Sequence, residues 1–216
     1  MKKLNIIYED KEILVVNKPS KLLTVGTDKE RERTLYHEVR EYLHKKNQKV
    51  FVVHRLDKDT SGIVLFAKNP RLKELLQRDW LRYTREYRAV VEGKLPKKKD
   101  TLRFYLQEDK NHHVYVSEKG LSSVTEYEVL DTNKTQSLIS VRIKTGRKNQ
   151  IRASLAYIGH PIVGDKKYDA KINSLSRLGL HANRLVIKHP ITGKEMTFVS
   201  KTPKVFYLGF KDYNEE

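Results

Sequence analysis

"VHRLDKDTSGIVLFAKNP", from Val53 to Pro70, sets a dense polar cluster between two apolar runs. "VFVV" before it and "GIVLFAK" after it lack the alternation of a half-solvated strand and read as strands covered on both faces. The turn that joins them holds His54, Arg55, Asp57, Lys58 and Asp59, followed by Thr60, Ser61 and Gly62. Two readings fit this turn. Asp57 can cap it and pair with Arg55, or it can be a carboxylate kept ionised for chemistry by Arg55 and Lys58. The two hydroxyls and the glycine can bend the chain and let a ligand backbone approach.

Toward the N-terminus, "LNIIYEDKEILVVNKP" reads as two short strands around a charged turn. Thr34 caps a helix over "LYHEVREYLHKK", with Leu35, Val39, Tyr42 and Leu43 on one face. Asn69 and Pro70 open another, whose stripe is Leu72, Leu75, Leu76 and Trp80. "REYRAVVEG" is a strand with Tyr87, Ala89 and Val91 on one side. "LPKKKD" is a basic loop, and "LRFYLQ" and "HHVYVS" are short strands. "SSVTEYEVL" and "TQSLISVRIKT" form a hairpin turning at Asp131–Lys134, and "GRKNQIRASLAYIG" is a helix closed by Gly159. "LGLHANRLVIKHP" and "KEMTFVSKTP" return to strands. Runs of β elements with few helices between them predict an α+β fold: a mixed, mostly antiparallel sheet with flanking helices, in a single domain over residues 1–216.

Composition narrows the partners. A 38% hydrophobic content supports a sizeable core, while a formal charge of +17 favours a polyanion, nucleic acid before an anionic membrane face. No apolar run approaches the roughly 20 residues of a membrane span, and Glu9, Asp10, Lys11 and Glu12 interrupt any secretory core at the start. The absence of cysteine excludes disulfides and thiolate metal sites and fits a cytoplasmic location. The eight histidines make no His-x₃-His pair beside a glutamate, so no metal is expected. No nucleophile elbow, phosphate-cradling glycine loop or dinucleotide fingerprint occurs, so no cofactor is expected either.

"TGRKNQIR" is the second informative stretch. Arg147, Lys148 and Arg152 are expected on the first turns of a helix, where free backbone N–H groups attract phosphate. Lys148 and Arg152, four apart, would share a face that an anion stabilises.

Five ordered blocks, "ILVVNKPSKLLTV", "HRLDKDTSGIVLFAK", "REYRAVVEG", "TGRKNQIRASLAYIGHPIVGDKKY" and "LHANRLVIKHPITGKEMTF", resemble the pseudouridine synthases of the ribosomal large-subunit type, over nearly the whole chain. The resemblance implies the pseudouridine synthase catalytic fold and the isomerisation of uridine to pseudouridine in ribosomal or transfer RNA. It implies that Asp57 is the catalytic residue, Tyr87 the active-site tyrosine, and Arg152 the arginine that pairs with the aspartate. The residues expected to contact RNA are His54, Arg55, Thr60, Ser61, Arg147, Lys148, Gln150 and Lys166, and the basic charge adds Lys167 and the loop Pro96–Lys99. The target uridine would be flipped into the pocket from a structured stem-loop, by a monomer without cofactor or membrane partner. With the first block so near the start of the sequence, no separate N-terminal RNA-binding domain is expected, and RNA docking is expected to come from this one body. Three positions depart from the family pattern: Asn149 and Ser154 stand where histidine is usual, and Lys21 where glycine is usual. The first two motivate a competing function, a non-catalytic RNA-binding or chaperone module on the same fold.

Overall fold

The computed structural model describes residues 4–26 and 32–211. They sort into two compact units, one made of Met1–Tyr83 and Ala182–Lys201, the other of Thr84–His181 and Thr202–Glu216. Among the described residues the β-structure is mixed and mostly antiparallel and is accompanied by three α-helices, the fold class expected from the sequence.

In the first unit, β1 (Ile6–Glu9) and β2 (Ile13–Lys18) make an antiparallel hairpin. Its turn is tied by Asp10, whose Oδ1 accepts from the amides of Glu12 and Ile13. Ile13 to Val16 are fully buried, so this strand is covered on both faces. Helix α1 (Leu35–His44) is capped by Thr34, which accepts from the His37 amide, and buries Leu35, Val39 and Leu43. Strand β3 (Phe51–Val52) is shorter than "KVFVV" suggests, because the chain leaves β4 (Ser61–Ala67) at Val53 to enter the Asp57 loop. β4 pairs with β2 in a register that puts Lys18 opposite Gly62. Helix α2 (Pro70–Arg78) opens on the Asn69 side chain and buries Leu72 and Leu76; Trp80 falls in a short 3-10 turn after it.

In the second unit, β5 (Thr84–Glu92), β6 (Lys99–Glu108), β7 (Val114–Val116), β8 (Leu121–Thr132) and β9 (Gln136–Ile143) lie in the order β5-β9-β8-β6-β7, every pair antiparallel. β6 absorbs Lys99 from the expected basic loop, and β8 runs through Asp131. The hairpin turns instead at Asn133, whose Oδ1 accepts from Thr135 and Gln136. Helix α3 (Gln150–Tyr157) sets Ile151 and Leu155 against Ala89, Val91, Ile139 and Val141. Each such large aliphatic side chain contributes about 1.5–3 kcal/mol on burial.

Strand β10 (Leu180–Lys188), of which Ala182 onward belongs to the first unit, pairs with β11 (Glu195–Val199). Leu185, Ile187 and Phe198 join Ile13, Val15, Ile63 and Leu65 in that unit's core. At Gly62 the backbone has φ +116°, and an added Cβ would lie 2.2 Å from the Ala182 carbonyl oxygen. This corrects one expectation. The space beside Gly62 is filled by the protein's own strand, not kept for a ligand.

Candidate active site

Asp57 sits half-buried in the loop between β3 and β4. Lys18, at the end of β2, is fully buried, and its Nζ donates to the carbonyls of Pro19 at 3.0 Å, Leu22 at 2.6 Å and Lys58 at 3.0 Å. A buried ammonium has three N–H bonds to satisfy, and three carbonyl dipoles stand in for its lost water. Ser20 Oγ donates to the Asp59 carbonyl at 2.7 Å. Thr24 Oγ1 donates to the Leu56 carbonyl at 2.7 Å and accepts from the Leu56 amide at 3.1 Å. The Asp57 carbonyl itself accepts from the Thr60 amide at 3.2 Å. Four consecutive carbonyls, at positions 56 to 59, are thus engaged, three of them by side chains from the short segment Lys18–Thr24. A carboxylate on a backbone held this way is preorganised, which reactions needing an aimed charge require.

The neighbours proposed for RNA contact divide by exposure. Arg55 is exposed, whereas Thr60 and Ser61 are 2% and 4% exposed and belong to the packing under the loop. The His54 ring stacks on Trp80 at 4.3 Å, and its Nε2 accepts from the Leu65 amide at 3.0 Å. That bond assigns the proton of a neutral ring to Nδ1.

In the second unit, Tyr87 lies half-buried on β5 opposite Val141, packed against the core on the side shared with Ala89 and Val91. Arg85 is buried, and its guanidinium donates to the carbonyls of Ile143, Lys144 and Thr145 at 3.1–3.3 Å, pinning the exit of β9. Burial pulls its pKa below the usual arginine value, against the influence of Tyr87. Arg152 is 8% exposed; its Nε and Nη2 bond the two oxygens of Asp165, each at 2.7 Å, and Nη1 donates to Asn149 Oδ1 at 3.3 Å. Such a fork-on-carboxylate pair is strong and directional. The Arg152 guanidinium also lies 5.3 Å from the centre of the Tyr168 ring, whose hydroxyl donates to the Val114 carbonyl. Burial raises the Tyr168 pKa, while a hydrogen bond with Asn149 opposes it.

The helix carrying Arg152 starts later than the sequence suggests. Asn149 has φ +50° and ψ +20°, and α3 begins at Gln150. Left-handed backbone suits asparagine better than most residues. Gln150 is buried, accepts from the Thr145 hydroxyl and the Arg147 amide, and donates to the Val124 carbonyl and Thr125 Oγ1. Arg147 and Lys148 therefore precede the helix rather than sharing a face of it with Arg152. Arg147 Nε donates to the Ser122 carbonyl, and Lys148 pairs with Glu108. Lys166 is exposed, on the 3-10 turn after Asp165.

Sequence reasoning missed Lys18, Ser20, Thr24, Asp165 and Tyr168. Lys18 had a readable signal, a cation ending an otherwise apolar strand. Asp165 had only its place after Gly164 in a block already singled out.

Residues 12–157 match the family model for RNA pseudouridylate synthase. The Bacillus subtilis protein described as the uncharacterized RNA pseudouridine synthase YhcT is 36% identical over 197 residues, 88% of this chain and 65% of that protein. The ribosomal large subunit pseudouridine synthase D of Buchnera aphidicola is 34% identical, over 93% of this chain and 70% of its own length. The chain thus spans about two thirds of the length of these curated relatives. The solved structure of human RNA Pseudouridylate Synthase Domain Containing 1 superposes with a TM-score of 0.78 at 23% identity, covering 97% of this chain and 88% of that one, which shows a shared fold.

Proposed function

Because the chain belongs to the RNA pseudouridylate synthase family, we propose that it is an isomerase that converts uridine to pseudouridine within RNA, with Asp57 as the catalytic carboxylate. The observation that carries this reading is the loop of Asp57, with its carbonyls from 56 to 59 all hydrogen-bonded and the carboxylate half-buried at its centre.

In the reaction the bond from the sugar anomeric carbon to uracil N1 breaks, the base turns, and a bond from the same carbon to C5 replaces it. The C5 proton leaves and N1 gains one, so the change is an isomerisation and needs no net oxidant. An ionised Asp57 serves by attacking the anomeric carbon or the uracil ring, or by removing the sugar 2′ proton. Tyr87 is assigned to stack on the flipped base and to take the C5 proton, and Arg152 to hold the charge near the carboxylate. Flipping costs a few kcal/mol, which phosphate contacts made by exposed Arg55, Arg147, Lys148 and Lys166 offset. Those contacts weaken steeply with salt.

Two classes of target are in view, ribosomal and transfer RNA. The Buchnera relative is named for the ribosomal large subunit, so large-subunit RNA is the first substrate to test. The assay is tritium release from RNA labelled at uridine C5. Wild type releases tritium and Asp57→Asn does not; equal release by both removes Asp57 from the chemistry. RNA binding without release by wild type favours the non-catalytic module.

A further inference from the structure

Strand β6 alternates cleanly: Leu102 and Leu106 are buried and Phe104 packs on the core, while Arg103, Tyr105 and Gln107 are exposed on the other face. In the ladder with β7, Gln107 stands opposite Tyr115, so Tyr115 shares that outer face. In the ladder with β8, Tyr105 stands opposite Ser122. Tyr105 and Tyr115 are therefore diagonal neighbours on one ribbon face, roughly 7–8 Å apart. They are 54% and 40% exposed, and neither phenol makes a hydrogen bond among the described residues.

The surround is cationic. Arg103 lies two residues from Tyr105 on the same face, and Arg147 is anchored to the carbonyl of Ser122, the residue opposite Tyr105. Lys119, in the β7–β8 turn, offsets its neighbour Glu118. Glu108, the carboxylate at the end of β6, is occupied by Lys148 and His112. The groups flanking the two rings, Gln107 and Ser117, are polar and bonded to one another at 2.9 Å. A flat face of two tyrosines, amide, hydroxyl and guanidinium lacks the apolar centre of a protein interface. It has what single-stranded nucleic acid needs: rings for bases to lie on and cations for phosphates.

We propose that the outer face of β6 and β7 is a stacking platform for unpaired nucleotides of RNA, with bases on Tyr105 and Tyr115 and phosphates at Arg103 and Arg147. The assignment rests on the reading of the chain as an RNA enzyme, and extends it to a contact that uses neither Asp57 nor Tyr87. Stacking on a ring is indifferent to base identity, so the platform would hold RNA without choosing the uridine.

The test is fluorescence anisotropy on the full chain with two probes, a 12-nucleotide oligouridylate and a 12-base-pair RNA duplex. Tyr105→Ala/Tyr115→Ala should weaken oligouridylate binding about tenfold or more, the effect of losing base stacking on aromatic rings. Duplex affinity should stay within about twofold, and Tyr105→Phe/Tyr115→Phe should keep the affinity for both probes, since the rings carry the contact. Arg103→Ala should reduce the slope of log K against log salt by about 0.7. Unchanged oligouridylate affinity in the alanine pair, or equal loss in the phenylalanine pair, overturns the proposal. So does a concentration-dependent doubling of mass that the alanine pair abolishes, which would make the face a contact with a second copy. Tritium release is read separately: its absence in wild type removes the isomerase reading while the binding test still decides the platform.

Discussion

Thr24 grips Leu56 by both backbone groups, giving a proton to its carbonyl at 2.7 Å and taking one from its amide at 3.1 Å. One hydroxyl thereby fixes the residue before Asp57, and Lys18 and Ser20 fix the two after it. The backbone that carries the Asp57 carboxylate is held from the end of β2 and the residues just after it, Lys18 to Thr24.

Thr24→Val keeps the shape and removes both bonds. It should lower kcat about tenfold with little change in KM, since small misplacements of reacting groups are expensive in rate. Thr24→Ser should restore most of the rate, and Ser20→Ala, at a more exposed bond, should show a smaller fall. Steady-state pseudouridine formation checks all three; a Thr24→Val enzyme with unaltered kcat sinks the assignment.

The Arg152–Asp165 pair is nearly sealed from water, with side-chain exposures of 9% and 1%. Asp165→Ala should destabilise by about 3–5 kcal/mol, because the guanidinium is left buried beside an empty site. Arg152→Met/Asp165→Leu should recover a large part of that loss while remaining inactive. Urea unfolding of the three proteins supplies the numbers, and a double variant no more stable than Asp165→Ala would contradict the pairing.

Lys21 occupies left-handed backbone at φ +66°. A side chain there carries strain of about 1–2 kcal/mol, and glycine removes it while adding freedom to the unfolded chain. Lys21→Gly should raise stability by about 0.5–1 kcal/mol. Thermal unfolding at fixed pH reads the shift.

Acid should act through Glu9. Burial works against its carboxylate, but hydrogen bonds from Lys68, Tyr42 and Lys46 outweigh it and bring the pKa down to about 2. The folded value lies below the ordinary 4.5, so the stabilisation is complete above that pH and is lost as pH falls toward 2. Glu9→Gln should flatten this part of the stability curve, as measured by chemical unfolding at stepped pH.

Much of this was legible in the sequence because local rules and burial agree. Thr34 and Asn69 announce their helices, and the run from Gly62 announces a strand covered on both faces, whereas Phe51 and Val52 of the run before the loop are only half-buried. The start of α3 is hidden in the sequence because Arg147 and Lys148 look like a first helical turn, while the side-chain carbonyl of Gln150 accepts from the Arg147 N–H and the chain goes left-handed at Asn149. That conformation also gives physical sense to an asparagine departing from the family pattern. The grip of Lys18 on Lys58 was unreadable for another reason: it joins residues forty apart through a carbonyl, and carbonyls carry no letter.

The crowding of Gly62 against Ala182 bears on how mutagenesis of the signature block should be interpreted. An alanine scan will score Gly62 as indispensable, yet the inactive product will have a displaced β4 and tell nothing about uridine. Some letters in a catalytic signature are there to keep two strands at their distance.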